Sequence, residues 1–101
     1  IMTKKQKDIL VKDRQKIARP RKYKVVFYND DYTPMDLVTL ILTEVFNKGA
    51  QEAFGIMMKV HKAGRAIAGV YSKEIADTKI ITTKMLAQEQ GFPLYVESEP
   101  E

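Results

Sequence analysis

The chain has no cysteine and only one histidine, His61, among its 101 residues. Without cysteine there is no disulfide, no thiolate metal site and no sulfur nucleophile. A lone histidine falls short of the three or four ligands that zinc takes. Asp30 and Asp31 are adjacent and diverge unless the backbone turns sharply, so a metal site is not expected. Serine occurs only at Ser72 and Ser98, and neither lies in the glycine-rich elbow of a nucleophilic hydrolase. No two carboxylates are spaced across a cleft for acid–base work. No apolar run approaches the roughly 18 residues of a membrane span, and the charged N-terminal stretch lacks the apolar core of a secretory signal. The expectation is a non-enzymatic protein without cofactor or metal, away from the membrane, in the reducing cytoplasm. At this length it forms one domain around one modest core.

What is present is unevenly charged. Residues 1–22 carry nine Lys and Arg against Asp8 and Asp13, a net of +7, whereas residues 23–101 have a net of −3. The basicity therefore belongs to a leader, read as a flexible basic extension over 1–22. A weak helix around 7–18 is the most structure that its scattered apolar residues support. Such a leader could hold nucleic acid through counterion release. The acidic remainder has no aromatic-interleaved basic face, so nucleic acid is not an expected partner.

From Tyr23 the pattern becomes that of a folded core over 23–101. Residues 23–28 are β-branched and aromatic, hence a strand, which stops at the turn-forming Asn29-Asp30-Asp31. Thr33-Pro34-Met35-Asp36 reads as a helix start, with Thr33 as cap, Pro34 at the first helical position and Asp36 against the dipole. Val38, Ile41, Leu42 and Val45 follow at helical spacing, and Asn47-Lys48-Gly49 ends the run. A second helix covers 50–63 and stops at Gly64; on it Met57, Val60 and His61 share one face. Residues 65–71 form a strand. Ser72 caps a third helix whose Ile80-Ile81-Thr82-Thr83 stretch opposes helical propensity. Gly91 and Pro93 break it, 94–96 form a third strand, and 97–101 are an acidic, frayed end. The order β-α-α-β-α-β predicts an α+β fold, a three-stranded antiparallel sheet with three helices on one side.

The chemically distinctive stretch is the loop after the first strand. Asn29, Asp30 and Asp31 place an amide and two carboxylates where a strand ends and a helix begins. A peptide α-ammonium carries three N–H donors and is mostly protonated at neutral pH. A carboxylate, an amide oxygen and a neutral imidazole nitrogen converging on it would satisfy all three. Thr33, Met35, Met57, Val60 and Leu94 are then candidates for an apolar recess beside the amine, and flexible methionines suit a recess accepting several shapes. The same spacing serves ordinary core packing for Met57 and Val60, and a surface or core role for His61.

Tyr23-Lys24-Val25, then Asn29-Asp30-Asp31-Tyr32-Thr33-Pro34-Met35, Val60-His61, Gly69-Val70-Tyr71, Glu74-Ile75-Ala76, Thr78-Lys79 and Pro93-Leu94 closely resemble the bacterial ClpS adaptor family, over about residues 22–96. The resemblance implies an adaptor that binds N-degron substrates by an N-terminal Leu, Phe, Tyr or Trp. It would deliver them to the N-terminal domain of the ClpA-type AAA+ unfoldase of the ClpAP protease. It implies that Asn29, Asp31 and His61 hold the α-amino group with Asp30 nearby, and that Thr33, Met35, Met57, Val60 and Leu94 form the side-chain pocket. Met35 would be the gate that disfavours Ile and Val. Glu74, Lys79 and Tyr32 match positions facing the unfoldase. A monomer without cofactor is implied, and the variable leader matches no motif.

Overall fold

The computed structural model describes residues 21–101, so the basic leader before Arg21 and its helix over 7–18 lie outside the described residues. The elements run β1 (Lys22–Tyr28), α1 (Met35–Glu44), α2 (Ala50–Ala63), β2 (Arg65–Ser72), α3 (Lys73–Glu89) and β3 (Tyr95–Pro100). This is the expected order. The strands form one antiparallel sheet in the order β2-β1-β3.

β1 is the central strand, and Val25, Val26 and Phe27 are all fully buried. Val25 and Phe27 join the core formed with Ile41 and Leu42 of α1, Met57 and Val60 of α2, and Val96 of β3. Val26 points to the opposite face, where the register sets Ile67 and Glu97 beside it. Longer side chains knit that face together. Arg65 pairs with Glu99 at 2.6 Å and lies 5.3 Å from the Tyr28 ring centre, and Tyr28 stacks on Tyr95 at 5.1 Å. A short sheet with helices on one side thus protects its central strand on both.

The 97–101 segment is not frayed. Residues 97–100 continue β3 against β1, and the Glu101 N–H donates to the Lys22 carbonyl at 2.9 Å. Glu99 accepts from Arg65 and Tyr28, and Glu97 accepts from Tyr95 at 3.0 Å, so the carboxylates find partners on the outer face. β3 also begins at Tyr95, leaving Leu94 before the strand, and β1 begins at Lys22, one residue earlier than expected.

α1 begins with Pro34 as its capping residue and no side-chain cap, so Thr33 does not cap it. α3 is capped as expected, with the Ser72 hydroxyl accepting from the Ile75 N–H at 3.5 Å. Its β-branched stretch stays helical because tertiary packing outweighs propensity: Ile80 packs on the core and Thr83 is fully buried. On β2 a bulge at Ala68 turns Gly69 toward the helices. A Cβ on Gly69 would collide with the Tyr71 hydroxyl and ring, so glycine lets the Tyr71 ring fold back over the strand.

Candidate functional site

The loop over 29–34 is held at both ends and braced in the middle. At its start the Asn29 N–H donates to the Gly64 carbonyl at 2.9 Å. Gly64 closes α2 at φ +92°, a left-handed conformation suited to glycine, and its own N–H returns to the Val60 carbonyl at 3.0 Å. The end of β1 is thereby tied to the last turn of α2, which carries His61.

The Asp30 carboxylate braces the middle. Its Oδ1 accepts from the Tyr32 N–H at 2.8 Å and the Thr33 N–H at 2.7 Å, while Oδ2 accepts from the Thr33 hydroxyl at 2.8 Å. Partial burial pushes this carboxyl up, but the three hydrogen bonds to its charged form outweigh burial and hold it below the ordinary aspartate value. Asp31, by contrast, is exposed and has no hydrogen-bond or ion-pair partner among the described residues.

Between this loop, the start of α1 and one face of α2 lies a cavity of about 420 Å³, within the roughly 300–1,000 Å³ typical of small-ligand pockets. Asn29, Asp30, Asp31 and His61 form its polar part. Thr33, Met35, Met57 and Val60 line it as well. Met57 and Val60 are almost wholly buried, so they serve the core and the cavity wall together, whereas Met35 is 41% exposed. Tyr32 also borders the cavity and is 74% exposed.

Leu94 is not among the residues that line this cavity; it precedes β3 and is buried in the same core cluster as Met57 and Val60, which do line it. Val38 and Pro34 line the cavity instead and were not foreseen as pocket residues. Val38 sits one turn after Met35 on α1, so the i, i+3 spacing carried that signal.

Glu74 and Lys79 lie away from the cavity on α3. Glu74 is exposed in the first turn. The Lys79 ammonium donates to the Val45 carbonyl at the end of α1, at 2.7 Å, and lies 5.6 and 5.2 Å from the ring centres of Phe46 and Tyr71. It therefore closes a helix C-terminus across 34 residues of chain. Among the described residues no three His, Asp or Glu converge as metal ligands, and no helix is long and apolar enough to cross a membrane.

A single α+β sheet-and-helix layer with a polar mouth beside an apolar recess defines a small ligand-binding domain. The sequence matches the family described as ATP-dependent Clp protease adaptor protein ClpS over residues 18–97. It is 50% identical to the ClpS adapter protein of Desulfatibacillum aliphaticivorans over 94 residues, 93% of this chain and 90% of that protein. It is 49% identical to the ClpS adapter protein of Lawsonia intracellularis over 81 residues, 80% of this chain and 74% of that one. The structure is similar to that of Agrobacterium tumefaciens ClpS2 bound to L-phenylalaninamide, with a TM-score of 0.80 and 42% identity, covering 82% of this chain and all of the other. The chain belongs to the ClpS family of Clp protease adaptors.

Proposed function

We propose that this adaptor binds N-degron substrates by a free N-terminal Leu, Phe, Tyr or Trp and delivers them to the ClpA-type unfoldase of the ClpAP protease. The observation that carries the reading is the union of two chemistries in one cavity. Asn29, Asp31 and His61 stand at its polar end, with Met35, Val38, Met57 and Val60 along its apolar wall. L-Phenylalaninamide, the ligand of the similar Agrobacterium protein, has the same two parts, a free α-amine and an aromatic side chain.

In this reading the Asp31 carboxylate supplies the charge that holds the α-ammonium. The Asn29 amide oxygen and a His61 ring nitrogen accept its other protons, and Asp30 stands beside them. A carboxylate with no partner among the described residues is well suited to this, because no side chain there must be displaced to accept the ammonium. The apolar wall then selects the side chain by burial. A phenyl or isobutyl group gains roughly 1.5–3 kcal/mol on full burial, and a polar or charged one loses by it.

Docking on the unfoldase N-terminal domain is assigned to the exposed Tyr32 and Glu74, with Lys79 acting through the α1 end that it closes. The test is reconstituted degradation by ClpAP of a fluorescent protein beginning with Phe. The adaptor should accelerate its loss and leave a Gly-starting version untouched. Equal rates for both proteins, with and without adaptor, would refute delivery.

A further inference from the structure

The two neighbouring aspartates at the cavity are in opposite situations. Both Asp30 oxygens are engaged inside the loop by the Tyr32 and Thr33 N–H groups and the Thr33 hydroxyl, at 2.7–2.8 Å. Asp31 is exposed and has no hydrogen-bond or ion-pair partner among the described residues. Two carboxylates one residue apart would ordinarily be taken together as the anionic half of an ammonium site.

We propose that Asp30 is a positioning residue rather than an amine ligand: its carboxylate shapes the loop over 29–34, and Asp31 alone supplies the charge that meets the ammonium. The inference rests on the amine-binding reading above and deepens it.

The geometry explains why a side-chain acceptor is placed there. Three donors from two residues converge on the side chain at position 30 within a span of four residues, and without an acceptor there they would be left to water. By accepting all three, Asp30 directs the chain from the end of β1 into Pro34 and the first turn of α1. Asp31 is left outside the clamp, facing the cavity. The Thr33 hydroxyl proton is spent on Asp30 as well, so Thr33 brings no free donor to a bound side chain.

Charge and shape can be separated at this position. Asp30→Asn keeps an oxygen for the two N–H groups, and its amide nitrogen can donate to the Thr33 oxygen, so the clamp survives without the charge. Asp30→Ala removes the clamp, and Thr33→Val removes one of its three bonds. The probes are a Phe-starting peptide with a free amino terminus and its N-acetylated counterpart, read by fluorescence anisotropy. Hydrogen exchange of the Tyr32 and Thr33 amides provides a readout that needs no ligand.

Asp30→Asn should bind the free peptide within about threefold of the wild type, while Asp30→Ala and Asp31→Asn should each lose about tenfold or more. Protection of the Tyr32 and Thr33 amides should persist in Asp30→Asn and vanish in Asp30→Ala. If Asp30→Asn loses as much affinity as Asp31→Asn, Asp30 is an ammonium ligand and the proposal is wrong. If Asp30→Ala binds and exchanges like the wild type, the clamp does not position the loop. A wild type that binds free and acetylated peptide alike would overturn the amine-binding reading instead, and the exchange data would still decide the clamp.

Discussion

The Asn29 N–H and the Gly64 carbonyl meet at 2.9 Å, joining the end of β1 to the residue that closes α2. Asn29 and His61 face one cavity from different elements, and this bond sets their separation. A ligand held by both side chains thus depends on a backbone contact that neither side chain makes.

Gly64→Ala tests that dependence. At φ +92° a Cβ is strained, at a cost of about 1–2 kcal/mol, although the space around the residue is open. The denaturation midpoint should fall accordingly. Affinity for a Phe-starting peptide should fall as well, because relief of the strain moves the Gly64 carbonyl away from Asn29. A variant with full stability and full affinity would show that the left-handed turn is dispensable.

Met35 stands partly exposed on the cavity, one helical turn before Val38. In the proposed reading its side chain narrows the entrance for residues branched at Cβ. Met35→Ala should relax the preference toward Ile- and Val-starting peptides, measured by competition against a labelled Phe-starting one. An unchanged preference order would remove the gate role.

Lys79 tests whether a position matched to the unfoldase interface acts directly or through the fold. Lys79→Met keeps the aliphatic stem but loses the bond to the Val45 carbonyl and the charge near Phe46 and Tyr71. Stability to urea should drop by roughly 1–2 kcal/mol, with peptide affinity unchanged. Weakened unfoldase docking without any loss of stability would instead make the ammonium a direct contact.

These residues also mark how far the sequence could be read. Strand, turn and helix signals are local, so the element order, Gly64 and the Ser72 cap were legible. So was the union of the 29–35 loop with Met57, Val60 and His61, through helical spacing and the family motif. What escaped depends on distant partners. The Val45 carbonyl that takes up Lys79 and the Arg65 that helps hold Glu99 in β3 each lie 34 residues away along the chain. Thr33 was expected to cap a helix because its type suits that role, but the Asp30 carboxylate captures its hydroxyl first. Leu94 lies far from the loop in sequence, and no spacing relates it to Met57 and Val60, whose core cluster it shares.

Asp30 gives the loop a pH dependence of definite sign. Its carboxyl is held below the ordinary value of 3.8, so its contribution to stability is present above that value and lost as pH falls through the lowered one. The stability difference between wild type and Asp30→Asn, from denaturation at a series of pH values, should be constant near neutrality and shrink below about pH 4. A difference that grows on acidification would contradict the hydrogen-bonded, ionised state of Asp30.

The central claim is that the cavity holds a free amino terminus by means of Asp31. The most direct measurement is a fluorescence-anisotropy titration of the wild type and Asp31→Ala with a Phe-starting peptide, free and N-acetylated. The wild type should bind the free peptide and lose about ten- to a hundredfold on acetylation, the equivalent of one charge-assisted hydrogen bond or more. Asp31→Ala should bind both forms weakly and alike. Equal binding of the free and acetylated peptides by the wild type, or undiminished affinity in Asp31→Ala, would contradict the account.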